Sequence, residues 1–144
     1  MSCNIHDSGK SLRVCFTDTV IYYRFGAAGQ APELELIDQV GTVNYTPWPG
    51  LGRAIWEAVI FENNDYSYEV FGGFDRMFGD ETDADHPPPH FGGVQVTRGN
   101  EVINVLTCAR ETVEFAWGEG LFAAKNNLGL VWDFDSKQWV ELRD

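Results

Sequence analysis

Residues 56–71 read Trp56-Glu57-Ala58-Val59-Ile60-Phe61-Glu62-Asn63-Asn64-Asp65-Tyr66-Ser67-Tyr68-Glu69-Val70-Phe71. Leu51, Ile55 and Val59 keep helical spacing, whereas Trp56, Ala58 and Ile60 fit one face of a strand. The β-branched and aromatic content of Trp56–Phe61 decides for strand. Asn63-Asn64-Asp65 is a turn cluster, because Asn and Asp tolerate positive φ. Tyr66–Phe71 then alternates cleanly, so the whole stretch predicts a β-hairpin.

The same grammar extends in both directions. Leu12, Val14 and Phe16 share one face of a strand, and Val20–Phe25 follows the break Asp18-Thr19, giving a second hairpin. Gly26–Pro32 is a small-residue loop, Glu33–Ile37 alternates acid with Leu, and Val40–Tyr45 is a short strand candidate. Toward the C-terminus, Val94–Thr97 and Val102–Cys108 flank the turn Arg98-Gly99-Asn100-Glu101. Thr112–Phe115 reads as a short strand and Glu119–Asn127 as a short helix stopped by Asn126–Gly129. Leu130–Phe134 and Gln138–Leu142 make a last hairpin. The expected fold is a single, mainly β domain over residues 1–144. It is an antiparallel β-barrel or β-sandwich with hairpin or meander connections, about eight to ten strands and at most one or two short helices. The expected core includes Val14, Phe16, Tyr68, Val70, Val96, Leu106, Trp132 and Trp139.

Composition bounds the function. A chain of 144 residues with 44% hydrophobic and 14% aromatic residues makes one domain with a substantial core. No apolar run approaches the roughly 20 residues of a membrane span, so membrane insertion is not expected. The net charge is −12, with only 10 Lys+Arg scattered along the chain. Nucleic acid is therefore not an expected partner. A field of this sign attracts basic proteins and cations, and it also keeps a protein soluble. The stretch Met1–Asp7 has neither a charged n-region nor an apolar h-region. The expectation is periplasmic or secreted if an upstream signal peptide was removed, and otherwise cytoplasmic. The pattern specifies no oligomeric state. Three cysteines, Cys3, Cys15 and Cys108, contain no CxxC pair. For an exported chain, Cys15 and Cys108, both in strand patterns, are the expected bridge, with Cys3 near a fraying terminus.

Two loops stand out as a recognition surface. Tyr45-Thr46-Pro47-Trp48-Pro49-Gly50-Leu51-Gly52-Arg53 is a rigid aromatic loop, in which Trp48 is a binding anchor or a core cap. Gly79–His90 carries Asp80, Glu81, Asp83, Asp85, His86 and His90 within twelve positions. Its alternatives are a solvated acidic loop, a partner-binding loop or a metal site, although its spacing fits neither an EF-hand nor HExxH. Phe71-Gly72-Gly73 and Phe91-Gly92-Gly93 bracket this loop and read as a structural clasp. Asp75-Arg76 is a strand-end ion pair or a clamp for a carboxylate, and Arg53 has the same two readings. No nucleophile elbow, phosphate-cradling loop or catalytic triad pattern is present, and no cofactor is expected.

The leading expectation is a non-catalytic binding module. It would recognise a basic protein or small ligand through loops 45–53 and 79–90. The alternatives are an enzyme with a carboxylate/histidine site in a barrel mouth, or a structural assembly domain. In size, acidity and strand count the chain resembles the small periplasmic β-barrel lysozyme inhibitors of bacteria. That likeness is one of shape and carries over no residue.

Overall fold

A computed structural model describes residues 1–50, 54–75, 90–114 and 118–142. The expected alternation becomes strands at nearly the predicted places. One four-stranded antiparallel sheet has the order β1 (Ser2–Asn4), β2 (Lys10–Phe16), β3 (Val20–Ala27), β4 (Leu34–Gln39). A second, five-stranded sheet runs β5 (Asn44–Thr46), β6 (Ala54–Asn63), β7 (Tyr66–Asp75), β8 (His90–Arg98), β9 (Glu101–Thr107). After helix α1 (Gly118–Asn127), β10 (Leu130–Asp133) and β11 (Gln138–Glu141) form a separate hairpin. Every strand neighbour is antiparallel. No closed barrel forms among the described residues, so the sandwich alternative holds.

The two larger sheets share one core. Leu12, Val14, Ile21 and Tyr23 come from the first sheet, and Tyr45, Val59, Phe61, Val70 and Val94 from the second. Tyr23 spans the layers, with its ring centroid 5.6 Å from that of Phe61 and 5.6 Å from that of Tyr68. Leu121 and Ala124 of α1 close the cluster. Of the expected core, Val14 and Val70 are fully buried, while Phe16, Tyr68, Val96, Leu106 and Trp139 pack partly buried against it. Trp132 is a correction. It lies on the small β10–β11 hairpin opposite Trp139, packs on that ring rather than on the main core, and stays half-buried. Val102, Ile103 and Val105 of β9 are also exposed, because β9 is an edge strand and a bulge shifts its register beside Val96/Thr97.

Two shorter assignments also change. Val40–Thr42 forms the β4–β5 turn, leaving only Asn44–Thr46 as strand. Of the expected strand at 112–115, Thr112 belongs to a 3-10 turn, Arg110–Thr112, and Glu114 makes only an isolated bridge to Ser2.

The two Phe-Gly-Gly copies pair with each other, while the acids of the loop they were expected to hold lie outside the described residues. The β7–β8 register sets Phe71 opposite Gly93, Gly72 opposite Gly92 and Gly73 opposite Phe91. Each phenyl ring lies over the partner's glycine: a Cβ on Gly93 would come within 2.9 Å of Phe71 Cζ, and one on Gly73 within 2.9 Å of Phe91 Cζ. The Leu106 carbonyl oxygen would lie closer still to a Cβ on Gly93, so Gly93→Ala is overpacked and should cost about 1–3 kcal/mol in a denaturant melt.

The disulfide overturns the expected pairing. Cys3 bridges Cys108, with Cα atoms 5.8 Å apart, and Cys15 is free and exposed. The reason is parity. With Leu12 and Val14 facing in, Cys15 on the same strand must face out, whereas Cys3 sits opposite Leu12 and faces the core. The N-terminal stretch is ordered as β1 by pairing to β2, and Ile5 bridges Cys108. The bridge separates 105 positions, so in a chain-entropy account it contributes up to about 4–5 kcal/mol. Thiol titration should find one reactive cysteine in the native chain. Cys3→Ser should lower the melting temperature markedly, while Cys15→Ser should stay within about 0.5 kcal/mol of the parent.

Candidate functional site

The second sheet gathers the expected loop anchors at one end. Ala54, where β6 begins, pairs with Asp75, where β7 stops, and Phe74 pairs with His90, the first residue of β8. The segment between β5 and β6 and the acidic segment between β7 and β8 thus attach at the same end. Arg53, Arg76, Asp80, Glu81, Asp83, Asp85 and His86 lie outside the described residues, as does the side chain of Asp75.

What surrounds the anchors is aromatic. Buried Pro47 leads into half-buried Trp48. His90 is half-buried, its ring centroid 5.8 Å from that of Phe74 at an interplanar angle of 51°. On the opposite face of the sheet the rows Trp56–Gly73–Phe91 and Ala58–Phe71–Gly93 place three half-buried aromatics side by side. Among the described residues, no group of three His, Cys, Asp or Glu side chains is placed to hold a metal ion.

Two other features were not singled out from the sequence. The first is a buried polar cluster. Lys125 on α1 is 1% exposed and donates from Nζ to the Val43 carbonyl at 2.9 Å, with Nζ 5.4 Å from the Trp139 ring centroid. Trp139 donates from Nε1 to the Tyr45 carbonyl at 2.8 Å, and Tyr45 donates its hydroxyl proton to buried Glu57. Burial lowers the Lys125 pKa to about 8, with Asp38 partly opposing. Burial and then the Glu57 hydrogen bond push the Tyr45 phenol up. Lys125 joins α1 to the chain before β5, and Trp139 joins β11 to β5, so their arrangement reads as a pin between helix, sheet and hairpin. The sequence marks Glu119–Asn127 as a helix, but nothing local marks Lys125 as buried.

The second is a groove of about 650 Å³ on the outer face of the first sheet. Its floor carries Arg13 directly opposite Arg24, and its rim includes Glu114. Arg24 donates from Nε to Glu35 at 2.6 Å and lies 5.2 Å over the Tyr22 ring. The signal was present in the sequence. Thr17 N–H bonds the Val20 carbonyl across Asp18-Thr19, and a hairpin with that turn must pair position 13 with 24.

Compared with known proteins, the chain matches no family model, no curated protein and no solved structure.

The Lys125 geometry gives a pH signature. Below about pH 8 the folded chain must hold a buried charge; between pH 8 and the ordinary lysine value of 10.5 the unfolded chain binds more protons than the native one. Stability contributed at Lys125 is therefore present at high pH and lost as pH falls through 8. Relative to Lys125→Met, the parent should gain roughly 2 kcal/mol between pH 7.5 and 10 in urea melts. A pH-independent difference would contradict the buried, depressed amine.

Proposed function

We propose that this protein is a non-catalytic binding module and that its recognition surface is the loop end of the five-stranded sheet. The observation that carries this reading is the register Ala54–Asp75 and Phe74–His90, which attaches segments 47–53 and 76–89 at one end beside a band of aromatics. The segment 76–89 brings Asp80, Glu81, Asp83 and Asp85, acids whose unpaired burial would be prohibitive. An acidic segment attached at the end that also carries Trp48, Trp56, Phe71 and Phe91 suits a basic partner, since lysine and arginine side chains pair with carboxylates and rest on aromatic faces. The net charge of −12 steers such a partner at long range. The Cys3–Cys108 bridge favours an oxidising compartment, and so an exported chain.

The test uses a short oligolysine peptide as probe. Replacing Asp80, Glu81, Asp83 and Asp85 with Asn or Gln should leave the melting temperature close to that of the parent. The four changes should weaken peptide binding by roughly 1–3 kcal/mol in total, with the loss shrinking as salt rises. Equal binding by parent and variant at low salt would refute the assignment of this end as the recognition surface.

A further inference from the structure

We propose that the groove on the outer face of the first sheet binds a carboxylate between Arg13 and Arg24. Two like charges directly opposite on neighbouring strands are destabilising unless something sits between them. Here they occur in a chain with only 10 Lys+Arg. The two arginines are not equivalent. Arg24 is held by Glu35 through Nε and by the Tyr22 ring, which fixes its plane. Arg13 is exposed and forms no ion pair among the described residues. One oriented and one unpaired guanidinium, side by side, match the fork geometry of a carboxylate.

The walls are built rather than incidental. On one side the β3–β4 loop folds back through the Glu33 N–H bond to the Phe25 carbonyl and the Lys10–Glu33 ion pair. On the other, β1 and the chain at Thr112–Glu114 are tied together by Asn4 N–H donating to Thr112 Oγ1 at 2.9 Å and by paired backbone bonds between Ser2 and Glu114. The Cys3–Cys108 bridge anchors that wall to the core. A volume of about 650 Å³ falls within the range of small-ligand sites.

The charge of the surroundings selects the ligand. Glu35 and Glu114 flank the arginine row, so the site is close to neutral before binding, and it sits in a strongly acidic chain. A carboxylate monoanion gains the guanidinium contacts with little repulsion, whereas a phosphate dianion meets twice the opposing field. The carboxylate can belong to a free organic acid or to the C-terminus of a peptide; the chemistry at the arginines is the same.

The experiment follows the arginine Nε–Hε signals by NMR. The titrants are N-acetylglycine, N-acetyl-triglycine, the amide of each, and inorganic phosphate. Saturable shifts at Arg13 and Arg24 with the acids, and at least about tenfold weaker effects with the amides and phosphate, are expected. Tighter binding of the triglycine acid than of N-acetylglycine would support a peptide terminus, and equal binding a free acid. Arg13→Gln, at an exposed position, should keep the parent melting temperature and weaken binding at least about tenfold. Arg98→Gln, at an exposed position on the other sheet, should not change it. No saturation by tens of millimolar acid, amides or phosphate binding as well as the acids, or an unaffected Arg13→Gln variant would each overturn the proposal. The loop acids of segment 76–89 play no part here, so this outcome is independent of the recognition surface on the other sheet.

Discussion

The second sheet depends on the register that sets Val70 opposite Val94, Phe71 over Gly93 and Phe91 over Gly73. Side chains on a strand alternate faces, so a slip of one residue between β7 and β8 would leave Val70 and Val94 on opposite faces and take one of them out of the core. In this register each phenyl ring has a glycine opposite it; a one-residue slip would keep a glycine under each ring but would split the valine row. From this one constraint follow the burial of Val59, Val70 and Val94 in one row and the arrival of Asp75 and His90 together at the loop end.

Much of this architecture was legible in alternation and turn chemistry. The hairpin around Asn63-Asn64-Asp65 forms, with Asn64 at positive φ, as the turn requires. Leu12 and Val14 face in, and that parity already excluded Cys15 from an inward bridge. What escaped was non-local. The strand Ser2–Asn4 is too short and polar to announce itself; it exists because β2 offers a free edge and Cys108 lies within reach. Trp132 alternates like a core residue, yet periodicity says nothing about how many layers cover a strand. The recognition loops were chosen from local chemistry, and the sheet's pairing register supplies their common end. The arginine pair required only the arithmetic of a two-residue turn.

Cations are scarce in this chain, and their placement is informative. Lys125 is spent inside, joining α1 to the β4–β5 turn at the expense of desolvation. Arg13 and Arg24 stand in a row whose ends are Glu114 and Glu35, which makes the outer face of the first sheet a locally balanced patch on an otherwise negative protein. The acidic segment 76–89 connects β7 and β8 of the other sheet. The two proposed sites therefore rest on different sheets.

The register of the Phe-Gly-Gly pair is the claim from which the common loop end follows, and it can be measured directly by NMR. Cross-strand NOEs should connect the Phe71 ring to the Gly93 α-protons and the Phe91 ring to the Gly73 α-protons. At least one α-proton of each glycine should be shifted upfield by the ring above it. NOEs that instead connect Phe71 with Gly92, or Phe91 with Gly72, with no upfield shift at Gly73 and Gly93, would show a slipped hairpin and contradict the common loop end.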